Sequence, residues 1–142
     1  VSLFGITLTA GKFVYGWCMD RFGSSLASCI FLGTLVAGFV LCALVGNHSL
    51  GLLYLSVALM GLGYPPSTVG FPIWAHDYSA ADDYPRQIKR FQLAYSGGSM
   101  AGSLVPGIIA DATGSYAGAY FLYAIFFAIT LIVVRTMYSR IA

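Results

Sequence analysis

The sequence predicts an all-α integral membrane protein with about five transmembrane helices, and three observations carry that reading. The 142 residues are 58% hydrophobic and 8% charged, with a mean hydropathy of +0.81, whereas soluble domains carry about 25% charged residues. Long apolar spans recur at 1–19, 26–45, 50–74, 91–110 and 117–134, each close to the ~20 residues that a helix needs to cross a ~30 Å hydrocarbon core. Apart from Lys12, the cations fall outside the spans: Arg21 after the first, Arg86, Lys89 and Arg90 after the third, Arg135 and Arg140 after the fifth. The two remaining connections, Gly46–Ser49 and Asp111–Tyr116, hold neither Lys nor Arg. With alternating spans the basic connections share one face. The positive-inside rule makes that face cytoplasmic, with Ala142 inside and Val1 outside, most simply in the plasma membrane. The spans are continuous rather than alternating, which argues against barrel strands.

Taken in order, the first span has two kinds of surface. Leu3, Ile6, Ala10, Phe13 and Trp17 recur at helical spacing as an apolar face, and Gly5, Thr9, Lys12 and Gly16 form a small, polar one. Lys12 lies eight residues before Asp20, about 12 Å along a helix and close to mid-membrane. A lysine there costs ~2.5–3.5 kcal/mol unless it meets water or an anion; snorkelling to the interface is the alternative. The second span has no charge, and it and the fifth, rich in Tyr120, Phe121, Tyr123, Phe126 and Phe127, read as lipid-facing supports. The third is interrupted by Gly61, Gly63, Pro65, Pro66, Gly70 and Pro72, so it should bend beside a cavity where freed backbone groups find partners. A polar loop over Trp74–Arg90 follows, with Asp82 or Asp83 placed to cap a helix that begins near Pro85. The fourth span carries Gln92, Ser96, Ser99 and Ser103 along one line, with Gly98 and Gly102 beside it, a face for close helix contact or for lining a cavity.

Several functions find no support. There is no basic run with interleaved aromatics for nucleic acid, no phosphate loop and no nucleophile–base pair. Cys18, Cys29 and Cys42 form no CxxC pair and read as small packing residues rather than metal ligands. His48 and His76 read as solvated loop residues, and no metal or cofactor is expected. A chain that is apolar from Val1 onward, without a secretory leader pattern, reads as part of something longer.

The run Gly16-Trp17-Cys18-Met19-Asp20-Arg21-Phe22-Gly23 resembles the Gly-x-x-x-Asp-Arg-x-Gly loop signature of the major facilitator superfamily, and Pro106–Tyr116 is similar to the junction of helices 11 and 12 there. The resemblance covers essentially the whole chain. It implies helices 8–12 of a twelve-helix transporter, with the N-terminal transmembrane half as the missing partner. A narrower similarity, Gly11-Lys12-x-x-x-Gly16-Trp17-x-x-Asp20-Arg21, is to oxalate/formate antiporters and monocarboxylate transporters. There an arginine follows the first glycine and holds the substrate carboxylate. Lys12 keeps the charge without the planar two-pronged geometry. The oxalate transporter's helix 11 lysine has no counterpart in Tyr95–Met100, which weighs against a dianion, and Ser24 and Ser25 stand where the family's loop is commonly basic.

The expected function is secondary active transport of a small organic anion, with Lys12 as counter-charge in a site open alternately to each side. Thr9 would line the site beside Lys12, and Tyr64, Ser67, Ser96 and Ser99 would donate hydrogen bonds, with interhelical packing as the alternative role. Gly16, Asp20, Arg21, Gly23, Pro65 and Pro66 would act in conformational change. The resemblance implies that Asp20 meets a helix N-terminus of the other half, in keeping with the helix dipole. Asp111 reads as a helix-end residue rather than a proton carrier. The competing readings are a carrier of a neutral or amphipathic solute with Lys12 structural, and a membrane scaffold or sensor subunit.

Overall fold

The computed structural model describes residues 2–45 and 48–142; Val1, Gly46 and Asn47, where the first span and the Gly46–Ser49 connection were placed, lie outside the described residues. The described chain is helical nearly throughout: α1 (Ser2–Phe22), α2 (Ser24–Val45), α3 (Leu50–Gly63), a π-helical turn (Pro66–Gly70), α4 (Phe71–Tyr78), α5 (Tyr84–Thr113) and α6 (Ala117–Ile141). α3, the π turn and α4 form one rod, so five rods stand. Three of these, Ser24–Val45, Leu50–Tyr78 and Ala117–Ile141, are long and apolar enough to cross a membrane by length and composition. The other two, α1 and α5, are the rods that carry the polar lines.

The helices overrun the apolar spans because backbone hydrogen bonding does not stop at the first charged side chain. α1 and α2 meet at a single residue, Gly23, whose φ of +87° is left-handed and whose N–H bonds the Met19 carbonyl at 2.9 Å. Glycine takes that conformation without the Cβ cost other residues meet. The predicted Trp74–Arg90 loop is also corrected. α4 runs to Tyr78, with His76 and Asp77 on it, and α5 starts at Tyr84, so the non-helical connection is 79–83. Asp83 is the N-cap residue, but its carboxylate accepts from the Gln87 Nε2 at 2.9 Å and faces Arg86 at 3.8 Å instead of bonding the backbone. His76 is exposed, edge-on to Tyr84.

α2, expected as a lipid-facing support, is the hub. It packs most extensively on α3 and α6 and also touches α1. Ala27, Ser28, Phe31, Leu32, Leu35, Gly38, Phe39, Cys42, Ala43 and Val45 are buried along it. Its uncharged, strongly apolar surface serves protein contact on one flank and hydrocarbon on the other; hydropathy cannot tell these apart. Phe39 stacks on Phe127 of α6 at 5.5 Å. α3 approaches α2 so closely that a Cβ on Gly38 would lie 2.9 Å from the Met60 backbone nitrogen, and one on Gly63 would overlap the backbone of Leu35.

A buried hydrogen-bond cluster ties three helices together, and a separate bond joins a fourth to them. Ser28 Oγ of α2 accepts from Trp74 Nε1 of α4 at 2.9 Å and shares a bond with Tyr15 Oη of α1 at 3.0 Å. Just beyond, Tyr138 Oη of α6 donates to Asp77 Oδ2 at 2.7 Å, which places the ends of α4 and α6 at one end of the molecule. Ser28→Ala is expected to lower stability by about 1–3 kcal/mol, because it leaves the Trp74 N–H without its buried partner. Thermal unfolding of the purified chain, followed by tryptophan fluorescence, checks this.

Candidate functional site

α1 packs with neither of the two faces that the sequence suggested. Counted at 3.6 residues per turn, its inward stripe is Phe4, Leu8, Gly11, Tyr15 and Cys18, with Gly11 and Tyr15 buried. Gly11 sits against α3, where the Leu62 carbonyl oxygen lies 2.9 Å from the position of a Cβ. Apart from the half-buried Leu3, the expected faces are both exposed and lie in separate arcs. Ile6, Phe13 and Trp17, at 67%, 77% and 55% exposure, suit lipid. Gly5, Thr9, Lys12, Gly16 and Asp20 form the other arc, beside the packed stripe.

α5 repeats this division. Its half-buried stripe of Tyr84, Phe91, Gly102 and Ile109 meets α4 and α6, and Gly102 gives its carbonyl to Tyr123 Oη at 2.6 Å. The line Gln92, Ser96, Ser99 and Ser103 is exposed, and beyond it Leu93, Met100, Leu104 and Ile108 form an exposed apolar arc. The short connections make successive rods alternate in direction, so α1 and α5 are opposed. On each, the polar arc follows the packed stripe by about a quarter turn in residue order. Viewed from one end, that order runs clockwise on one helix and anticlockwise on the other. α1 packs on α3 and α5 on α4, and the polar arcs of both are exposed.

Between them stands the break in the third rod. Pro65 and Pro66 cannot donate to the helix ladder; both are buried rather than lining a space. Thr68 Oγ1 donates to the Pro65 carbonyl at 3.1 Å and the Ser67 N–H to the Tyr64 carbonyl at 2.9 Å, so the turn is satisfied locally. Tyr64 meets Phe4 of α1 edge-on at 5.9 Å and has the Tyr95 phenol of α5 beside it. Tyr95 in turn stacks on Phe71 at 5.4 Å. This aromatic wall of Phe4, Tyr64, Phe71 and Tyr95 was not anticipated. In the sequence Phe4 and Phe71 belong to apolar spans, and only contacts between helices reveal their shared role.

The remaining candidates are placed as follows. Lys12 is exposed and, among the described residues, makes no hydrogen bond or ion pair. Thr9 donates its hydroxyl proton to the Gly5 carbonyl at 2.9 Å, which leaves its oxygen as an acceptor for anything else. Ser96 and Ser99 are exposed, with hydroxyls bonded to no described residue. No direct bond joins Lys12, Thr9, Ser96 and Ser99 to one another among the described residues; Tyr64 touches neighbours on both flanking helices. Gly16 has open space around it and Asp20 is exposed. The Arg21 guanidinium lies 5.4 Å from the centre of the Trp17 ring, a cation–π contact that holds it at the α1 terminus. Asp111 is exposed in the last turn of α5. The described residues contain no cluster of three or more His, Cys, Asp or Glu that could hold a metal.

A family model described as the Major Facilitator Superfamily matches residues 1–140 of the chain. No curated protein and no solved structure matches it.

Proposed function

Because the chain belongs to the Major Facilitator Superfamily, whose members are membrane transporters, we propose that it forms the C-terminal part of a twelve-helix secondary transporter for a small organic anion. The solute class is a monocarboxylate, moved by exchange or by ion coupling, as in the oxalate/formate and monocarboxylate group. The basic ends of the rods, with the C-terminus, face the cytoplasm, by the distribution of Lys and Arg. The N-terminal half supplies the opposing wall of the cavity.

The observation that carries this reading is the position of Lys12. It sits on the polar arc of α1, separate from the lipid-suited arc of Ile6, Phe13 and Trp17, and it is uncommitted. An ammonium group at that depth is stabilised by water and by a carboxylate, and a cavity bounded by the polar arcs of α1 and α5 offers both. Ser96 and Ser99, with free hydroxyls, supply donors to the same carboxylate. A second reading has its own support: the wall of Phe4, Tyr64, Phe71 and Tyr95 suits an amphipathic solute, with Lys12 structural. Flux of radiolabelled monocarboxylate into vesicles holding the full transporter separates these readings. Saturable uptake, competed by other monocarboxylates and not by their amides, is the expected result. Competition by the amides would favour the amphipathic solute, and absence of any flux would favour a scaffold.

A further inference from the structure

The apolar arc of α5 ends in a charged depression that the transport reading does not use. At the start of the helix Asp82, Asp83, Arg86, Lys89, Arg90 and Leu93 line an open hollow of about 620 Å³. Arg86 is turned toward Asp83 at 3.8 Å, and Asp83 also holds Gln87; Asp82, Lys89 and Arg90 have no ion-pair partner among the described residues. Below Lys89 and Arg90, at helical spacing, run Leu93, Met100, Leu104 and Ile108, exposed by 63–76%. α5 has 30 residues, so it is about 45 Å long against a hydrocarbon core of ~30 Å. In the topology proposed above its first turns stand in the headgroup layer and the apolar stripe runs along acyl chains.

We propose that this hollow binds one phospholipid whose headgroup carries both a phosphate and a primary amine. The phosphate ester lies on Lys89 and Arg90, the ammonium two carbons further on meets Asp82 and Asp83, and the acyl chains follow Leu93, Met100 and Leu104. Cations alone would select any anionic lipid. The two carboxylates beside them add the selectivity for an amine that can donate hydrogen bonds, which the trimethylated amine of choline cannot.

Native mass spectrometry of the full chain, exchanged in turn into phosphatidylethanolamine, phosphatidylcholine and phosphatidylglycerol, tests this. One retained phosphatidylethanolamine, in preference to both others, is expected. Lys89→Gln with Arg90→Gln should weaken its retention by about 10- to 30-fold. Asp82→Asn with Asp83→Asn, which keeps a residue able to cap α5, should instead remove the preference for phosphatidylethanolamine over phosphatidylglycerol. Arg135→Gln with Arg140→Gln should change neither. Equal retention of phosphatidylcholine, a preference for phosphatidylglycerol in the unaltered chain, an unchanged preference in the Asn pair, or no retained lipid would overturn the proposal.

Discussion

Lys12→Gln is expected to reduce saturable uptake of a monocarboxylate to background, a fall of about two orders of magnitude. Removing one partner of a charge pair in a low-dielectric site costs 2–5 kcal/mol, and a factor of ten is 1.4 kcal/mol. The test is clean because Lys12 is exposed and forms no hydrogen bond or ion pair among the described residues. Stability should therefore stay within about 0.5 kcal/mol of the parent, and lost flux would report the solute rather than the fold. Lys12→Arg should restore part of the activity, since the charge returns with a different shape. Uptake measured in vesicles with matched protein content decides the matter, and full activity in the Gln variant would remove the anion assignment.

The second large effect is on assembly. Gly63→Val should prevent α3 from seating on α2, because the new side chain would occupy the backbone of Leu35 rather than a movable side-chain end. Overpacking of this kind costs typically 1–3 kcal/mol and sometimes more, and a backbone clash between two helices belongs at the upper end. Gly98→Ala is the matched control. A Cβ there meets nothing, so only the gain of about 1 kcal/mol in helix propensity remains. Size-exclusion profiles of the two variants after mild heating should diverge, the Val variant aggregating and the Ala variant eluting as the parent does.

Hydropathy and charge alternation were enough to find five rods, because a bilayer forces backbone groups to bond within each segment. They could not find which side of a rod meets protein. On α1 the two faces visible in the sequence are both exposed, and the true contact stripe, Phe4 to Cys18, mixes large and small residues without a polarity signal. In lipid, apolar side chains are equally at home against hydrocarbon and against another helix. The same ambiguity hid the central position of α2. Helix ends at Tyr78 and Tyr84 were misread for a simpler reason, that charge ends an apolar window but not a helix. For the candidate site, Lys12 stood out through its cost, and Tyr64 through the adjacent prolines. The partnership of Tyr95 with Phe71 could not be seen, because it depends on how two rods 24 positions apart in sequence lean together.

The π turn at Pro66–Gly70 fixes the azimuth of everything that follows it. Such a turn accommodates one residue more than an α turn does, and one residue of helix is a rotation of about 100°. Had the rod continued as regular α-helix, the indole of Trp74 would point roughly a quarter of the way round from Ser28, and Asp77 would miss Tyr138 by the same angle. The surplus residue thus works as an indexing tooth, setting the lower half of the rod in the one orientation where its polar groups find their acceptors and donors.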